Sequence, residues 1–320
     1  MRRTILAVAG AAVLATTSAC GGGAADETAD GLIPITVGAI PIVDVAPLYL
    51  GVDQGFFEDQ GLDVTIESTT GGAQAVPNVV NGTYDFAFGN ITSLIVARDQ
   101  NLPVVAVANG VTTTGEQGGD FSAVVVPEGS AIEAPADLAG ATVAVNNLRN
   151  IGGTTVRNSV RLDGGDPSGV EFVEMPLPDM NAALDNGDVD AAWVVEPFLT
   201  DALANGGTEI ASNFVDAHES LTVAAYFTTE QVAAEDPELA DAFTAAVQES
   251  MAYADSRPEE VRRILGTYTE IDAAVIEEIR LPTYPAEVDR ESVQAIADLM
   301  VEDGAVDNEP DIDALLRETR

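Results

Sequence analysis

Two glycine pairs stand directly before segments of helical spacing: Gly71-Gly72 in Thr69-Thr70-Gly71-Gly72-Ala73-Gln74, and Gly152-Gly153 in Asn150-Ile151-Gly152-Gly153-Thr154-Thr155. A helix start presents unpaired backbone N–H groups and partial positive charge, and glycine lets a ligand approach that backbone closely. Gly71, Gly72 and Gln74 in one half of the chain, with Asn147, Gly152, Gly153, Thr154 and Thr155 in the other, are therefore candidate ligands for a small anion. Arg149 is the cation beside the second pair and would be the charge partner of that anion. Asp44, Asn90 and Thr92 follow apolar runs that read as strands, so they offer polar side chains at strand ends. Trp193, the only tryptophan, and Glu196 close a further strand. The ring would wall or stack on a ligand, and the carboxylate would accept from ring N–H groups. Plainer readings stand beside these. The glycines suit ordinary helix starts, Asn90 suits an N-cap, Trp193 suits a core, and Arg149 suits a solvated surface.

Other chemistries lack their residues. His218 is the only histidine and Cys20 the only cysteine. A Ser-His-Asp or Cys-His nucleophile needs a placed imidazole, and a zinc site needs several His or Cys ligands. His218 sits in Asp-Ala-His-Glu with no nucleophile motif beside it. The chain has no lysine, so it cannot carry a GxxxxGK[ST] phosphate loop, and GxGxxG is absent as well. No catalytic residue, metal or cofactor is expected. Against 53 acidic residues stand 13 basic ones, all arginine, for a net charge of -40. That balance excludes nucleic-acid binding through a basic surface and a polybasic membrane contact. A hydrophobic content of 46% argues for a folded chain. Acid excess without lysine fits a protein adapted to high salt.

The N-terminus is a targeting signal. Met1-Arg2-Arg3 precedes an apolar run, Ile5 to Ala15, and a small-residue zone ends at Cys20. The run is shorter than the ~20 residues a membrane span needs. Cys20 in Ser-Ala-Cys-Gly resembles the lipidated cysteine of a bacterial lipobox, although Thr17 stands where that box usually has an aliphatic residue. The reading is a signal peptide over 1–19, lipidation at Cys20, and a flexible tether over 20–32.

From Ile33 onward, short apolar runs alternate with helical spacing. Strands are expected at Ile33–Ile40, Leu62–Glu67, Tyr84–Gly89 and Val104–Ala108, with helices at Ala46–Phe57, Gln74–Val80 and Thr92–Asp99 between them. A second series has strands at Ser122–Val126, Thr142–Val145, Glu171–Glu174 and Ala191–Val195, with helices near Thr154–Leu162, Asp179–Asp185 and Phe198–Asn205. A further strand ends at Phe227, and the remainder is helical, with an N-cap at Asp236 and a capping box at Ser256-Arg257-Pro258-Glu259. Alternation of this kind predicts mostly parallel sheets. The stretch from Asn81 to Ala87 is echoed by the stretch from Asn186 to Ala192, one copy in each series.

Several stretches carry a resemblance. They are Ala46 to Phe57 followed by Gly61-Leu62-Asp63-Val64, Asn81 to Ala87, Leu102 to Val107, Asp137-Leu138-Ala139-Gly140, and Asp188 to Pro197. Over about residues 33–300 the chain resembles the substrate-binding proteins of bacterial ABC importers in the nitrate/sulfonate/taurine and thiamine-pyrimidine-precursor family. The resemblance implies an α/β, two-lobed, type II periplasmic-binding-protein-like fold, with each lobe a mostly parallel sheet flanked by helices and two crossovers. Lobe one would be 33–121 plus 214–320 and lobe two 122–213. A monomer, lipid-anchored on the outer face of the cytoplasmic membrane, would capture a small anion such as a sulfonate, taurine or nitrate between the lobes and deliver it to a permease. The alternative is a neutral heterocycle such as a thiamine pyrimidine precursor, stacked on Trp193 and hydrogen-bonded to Glu196 or Asp44. A third reading, an enzyme that makes the pyrimidine, would need a reactive histidine or a metal set.

Overall fold

A computed structural model describes residues 31–317. The signal peptide, Cys20 and all but the end of the expected tether lie outside the described residues. Among the described residues, ten strands form two sheets of five. They are β1 (Ile33–Ala39), β2 (Leu62–Ser68), β3 (Phe86–Asn90), β4 (Val104–Thr112), β5 (Ser122–Val126), β6 (Thr142–Val145), β7 (Glu171–Glu174), β8 (Ala191–Val195), β9 (Thr208–Ala211) and β10 (Thr222–Thr229). Sheet one runs β2-β1-β3-β10-β4 and sheet two runs β7-β6-β8-β5-β9. In sheet one β10 is antiparallel to β3 and β4, and in sheet two β5 is antiparallel to β8 and β9; the remaining pairs, β1 with β2 and β3 and β6 with β7 and β8, are parallel.

Strands with continuous apolar runs lie where both faces are covered. Every residue of β3, β4, β5, β8 and β10 is buried. The edge strands β2 and β7 carry the charges and show alternating exposure. Phe243, on the long helix Pro237–Asp255, stacks on Phe86 of β3 with centroids 3.9 Å apart and touches Phe57. Aromatic burial of this kind fixes the helical C-terminal part against sheet one.

The internal echo is physical. Asp85, just before β3, accepts a hydrogen bond from the Thr36 N–H at 2.7 Å and returns its own N–H to the Thr36 carbonyl. Asp190, just before β8, does the same with Thr142 of β6, accepting at 2.8 Å. Each pair pins the third parallel strand of its sheet to the first. The three parallel strands of each sheet, β1 to β3 and β6 to β8, therefore have one build.

Four expectations need correction. The helix read as Ala46–Phe57 breaks after Gln54, because Gly55 takes φ +81 and caps it with an N–H to the Gly51 carbonyl; Phe56–Asp59 is a separate turn. Strand β9 went unread, since Thr-Glu-Ile-Ala is too short and polar to signal a strand. Ser256 is not an N-cap: it ends the Pro237–Asp255 helix and donates to the Ala252 carbonyl. The helix near Thr154 begins at Ile151, so Gly152 and Gly153 lie inside its first turn. Asp236 does cap as expected, accepting from the Leu239 N–H at 3.0 Å.

Candidate functional site

The C-terminal ends of the parallel strands from both sheets meet along one seam. In open α/β folds this is where ligands bind. The turn after β1 reaches across it, with the Val43 N–H on the Glu196 carbonyl at 3.4 Å. The loop after β2 reaches Gly71, which takes φ +141 and lies so close to Asn147 that a Cβ would overlap that amide. Only glycine allows both the backbone angle and the approach. Helix Gly72–Val80 therefore starts against the loop that precedes helix Ile151–Leu162, the arrangement sought from the two glycine pairs.

Asn150 ties the seam. Its Oδ1 accepts from the Ile151 N–H at 2.6 Å, so it is the N-cap, and it also accepts from the Thr92 hydroxyl across the seam. Its Nδ2 donates to Ser93 Oγ at 3.0 Å and to Asn147 Oδ1 at 3.4 Å. Thr92 and Asn147 are thus brought together, with Asn90 buried at the end of β3 and making no cap bond. A groove of about 270 Å³ opens beside these contacts, lined by Gly72, Ser93, Asn147, Arg149 and Asn150 among others.

On the sheet-one side of the seam lies a different group. Asp44 sits in the short turn Val43–Val45 and is 1% exposed. Its Oδ1 has no hydrogen-bond partner. Burial pushes its carboxyl up to about 7; its own backbone N–H opposes this and the charge of Asp120 adds to it. The Tyr226 hydroxyl on β10 is also buried without a partner, and burial, with Asp44 and Tyr49 nearby, raises it far above a normal phenol. Tyr268 donates to the Ile42 carbonyl and Tyr284 to the Val43 carbonyl, each at 2.9 Å. Burial raises both phenols, and Asp44 adds to the rise of each. Those two bonds hold the turn by its backbone and leave Asp44 Oδ1 without a partner. Tyr49 stacks on Tyr268 at 3.8 Å. Asp120, raised by burial, accepts from the Thr114 N–H and hydroxyl through Oδ1, while Oδ2 has no partner.

Several candidates are placed elsewhere or engaged. Trp193 is 2% exposed, donates from Nε1 to Ser122 Oγ at 2.9 Å and packs on Phe214. A Cβ on Gly152 would come within 2.6 Å of its ring. The ring is core beneath the helix start, and Gly152 serves that packing. Glu196 is fully buried and engaged: it accepts from the Thr200 N–H at 3.0 Å, the Thr200 hydroxyl at 2.7 Å and the Arg280 N–H at 3.0 Å. It holds helix Phe198–Ala204 and the 280 segment, with both carboxylate oxygens bonded within the protein. Thr155 bonds the Ile151 carbonyl and receives Asn213 Nδ2, so it too is structural. Gln74 is exposed and accepts from the Thr70 N–H. Arg149 is exposed and donates to the Ala305 carbonyl at 2.6 Å, at the rim of the groove. Gly153 is buried in the first turn, and the Thr154 hydroxyl beside it is buried without a partner.

His218 contacts the Ser220 hydroxyl at 3.2 Å, but that hydroxyl donates to Asp289, the N-cap of Arg290–Glu302. The carboxylate engages the serine and not the imidazole, which is the wrong order for an activated nucleophile.

Sequence reasoning missed Tyr49, Tyr226, Tyr268, Tyr284 and Asp120. Four of the six tyrosines gather around one turn. They come from a helix, a strand, a helix end and a loop, so no spacing announces them.

The pattern of the family described as NMT1/THI5 like matches residues 42–261. The formylaminopyrimidine-binding protein of Halalkalibacterium halodurans is 27% identical over 144 residues, 45% of this chain and 41% of that protein, so the match spans less than half of that relative. Among solved structures, the periplasmic aliphatic sulphonate-binding protein SsuA of Escherichia coli superposes with TM-score 0.72 at 19% identity, over 90% of this chain and 92% of that one. The periplasmic nitrate-binding protein NrtA of Synechocystis superposes with TM-score 0.76 at 16% identity, over 89% and 86%. At these identities the likeness shows the fold, that of the periplasmic binding proteins.

Proposed function

The chain belongs to the NMT1/THI5-like family, and from that membership we propose that it is the solute-binding component of an ABC importer. Residues 33–121 with 214–320 form lobe one, residues 122–213 form lobe two, and they close on a small solute by a hinge at the two crossovers. The closed pair of lobes is what a permease recognises, and the protein itself performs no chemistry. A monomer lipidated at Cys20 works on the outer face of the cytoplasmic membrane.

The observation that carries this reading is the seam. Helix starts from both sheets abut there at Gly71 and Asn150, and buried polar side chains from both sheets line it. A small anion of the sulfonate, taurine or nitrate kind would take the first-turn N–H groups of Gly72 and Gly153, with the Thr154 hydroxyl. Neighbours named for sulphonate and nitrate binding share the fold. A second reading, an amino-substituted heterocycle, is favoured by Asp44, whose oxygen would accept from it, and by the relative named for formylaminopyrimidine binding. Thermal-shift screening with sulfonates, taurine, nitrate and pyrimidines tests both. A ligand at a hundred times its dissociation constant adds about 2.7 kcal/mol to stability. Turnover of a bound compound without a permease would contradict the proposal.

A further inference from the structure

We infer that the solute of this seam must present an N–H donor to Asp44, so the protein selects amine-bearing ligands over bare anions. The inference rests on the reading of the seam as the solute site and narrows the solute's chemical class.

Asp44 Oδ1 and the Tyr226 hydroxyl are both fully enclosed, both lack a hydrogen-bond partner, and the Asp44 charge adds to the rise of the Tyr226 phenol. Buried polar atoms are almost always paired, and a group left unpaired is costly. A carboxylate oxygen is an acceptor, and a phenol carries one donor. A group that donates beside a site where it can accept satisfies both. An aminoheterocycle edge does so with its amino N–H and ring nitrogen; an ammonium donates to the Asp44 carboxylate but has no lone pair for the Tyr226 hydroxyl, which another acceptor on the same ligand must then meet. The aromatic surroundings agree, since Tyr49, Tyr226, Tyr268 and Tyr284 supply rings that favour a cation or a flat edge.

A bare anion has no donor for Asp44. It would also enter beside a second buried carboxyl, Asp120. Arg280 is no counter-charge for it, since its guanidinium is engaged by the Asp120 carbonyl and by Glu209. Taurine, an aminosulfonate, and an aminopyrimidine both meet the requirement. Methanesulfonate and nitrate do not.

One alternative is a protonated Asp44 that itself donates to an anion. Asparagine mimics that form, offering one donor and one acceptor, so Asp44→Asn separates the cases. The groups facing Asp44 are Asp120, Tyr226, Tyr268 and Tyr284, with Tyr49 behind them on Tyr268; the tyrosines stay neutral near pH 7, so ligand affinity should rise with pH through the range in which Asp44 ionises.

The test is calorimetric titration of the wild-type protein and Asp44→Asn with taurine, 4-amino-2-methylpyrimidine, methanesulfonate and nitrate at pH 6 and pH 8. The expected result is binding of at least one amine-bearing probe and of neither donor-free probe, with a loss of roughly tenfold or more in Asp44→Asn. Retained melting temperature in the variant shows that the loss is not unfolding. Methanesulfonate or nitrate binding as tightly as the amine-bearing probes, or Asp44→Asn binding like wild type, overturns the inference while leaving the solute-site reading intact. No heat from any probe with the wild-type protein contradicts the solute-site reading and this inference with it.

Discussion

Asp44 and Glu196 are two carboxyls on opposite sides of one seam, contributed by the sheet-one and sheet-two halves, both buried and both raised by burial. Glu196 receives three protein hydrogen bonds and Asp44 Oδ1 receives none. The same burial therefore serves different ends. On the sheet-two side the polar groups hold the protein to itself: Glu196 fastens two segments, Thr155 takes Asn213, and Trp193 takes Ser122. On the sheet-one side tyrosines hold the backbone of a turn and leave Oδ1 of its carboxyl without a partner. Burial alone does not mark a ligand group; an unmet hydrogen-bond demand inside a built environment is what calls for a partner.

Substitutions on the two sides should part accordingly. The largest effect is expected for Trp193→Ala, which removes a core ring and the support of the Ile151–Leu162 helix start. It should cost about 3–5 kcal/mol in denaturant unfolding, and a cost under 1 kcal/mol would restore the ring to a ligand-facing role. Next comes Glu196→Gln. It keeps the size but weakens charge-assisted acceptance from Thr200 and Arg280, for a loss of about 1–3 kcal/mol measured the same way.

Asp44 should shape the pH dependence of stability instead. Its folded pKa, about 7, lies above its value in an unfolded chain, so the folded state binds the extra proton between roughly pH 4 and 7. Stability is therefore fully helped below that window and lost as pH rises through 7, by at most about 1.4 kcal/mol per unit. Asp44→Asn removes this slope, so its stability relative to wild type should climb from pH 5 to pH 7.5; a parallel pair of curves would contradict the assignment. The smallest effect is expected at Arg149→Ala, which loses one exposed-rim bond to Ala305, worth about 1 kcal/mol or less. A strong loss of ligand affinity there would move the anion contact back to Arg149.

The sequence carried the fold better than the site. Continuous apolar runs located the strands, and the echo around Asp85 and Asp190 marked the shared build, because both features are local. The glycine pairs were legible for the same reason, since a close approach and a positive φ at Gly71 demand glycine. Glu196 and Trp193 looked like ligand groups because a strand end says nothing about what packs on it. Their partners, Arg280 and Ser122, are far away in sequence. The tyrosine surround of Asp44 was illegible, since Tyr226, Tyr268 and Tyr284 reach it through β10 and the C-terminal segments that return to sheet one.

The most direct measurement is the affinity of wild type, Asp44→Asn and Glu196→Gln for whichever of taurine or 4-amino-2-methylpyrimidine binds the wild-type protein, read beside their melting temperatures. The account predicts that Asp44→Asn loses roughly tenfold or more in affinity at an unreduced melting temperature, while Glu196→Gln melts earlier and keeps its affinity within about twofold. Affinity lost in Glu196→Gln and kept in Asp44→Asn would contradict it.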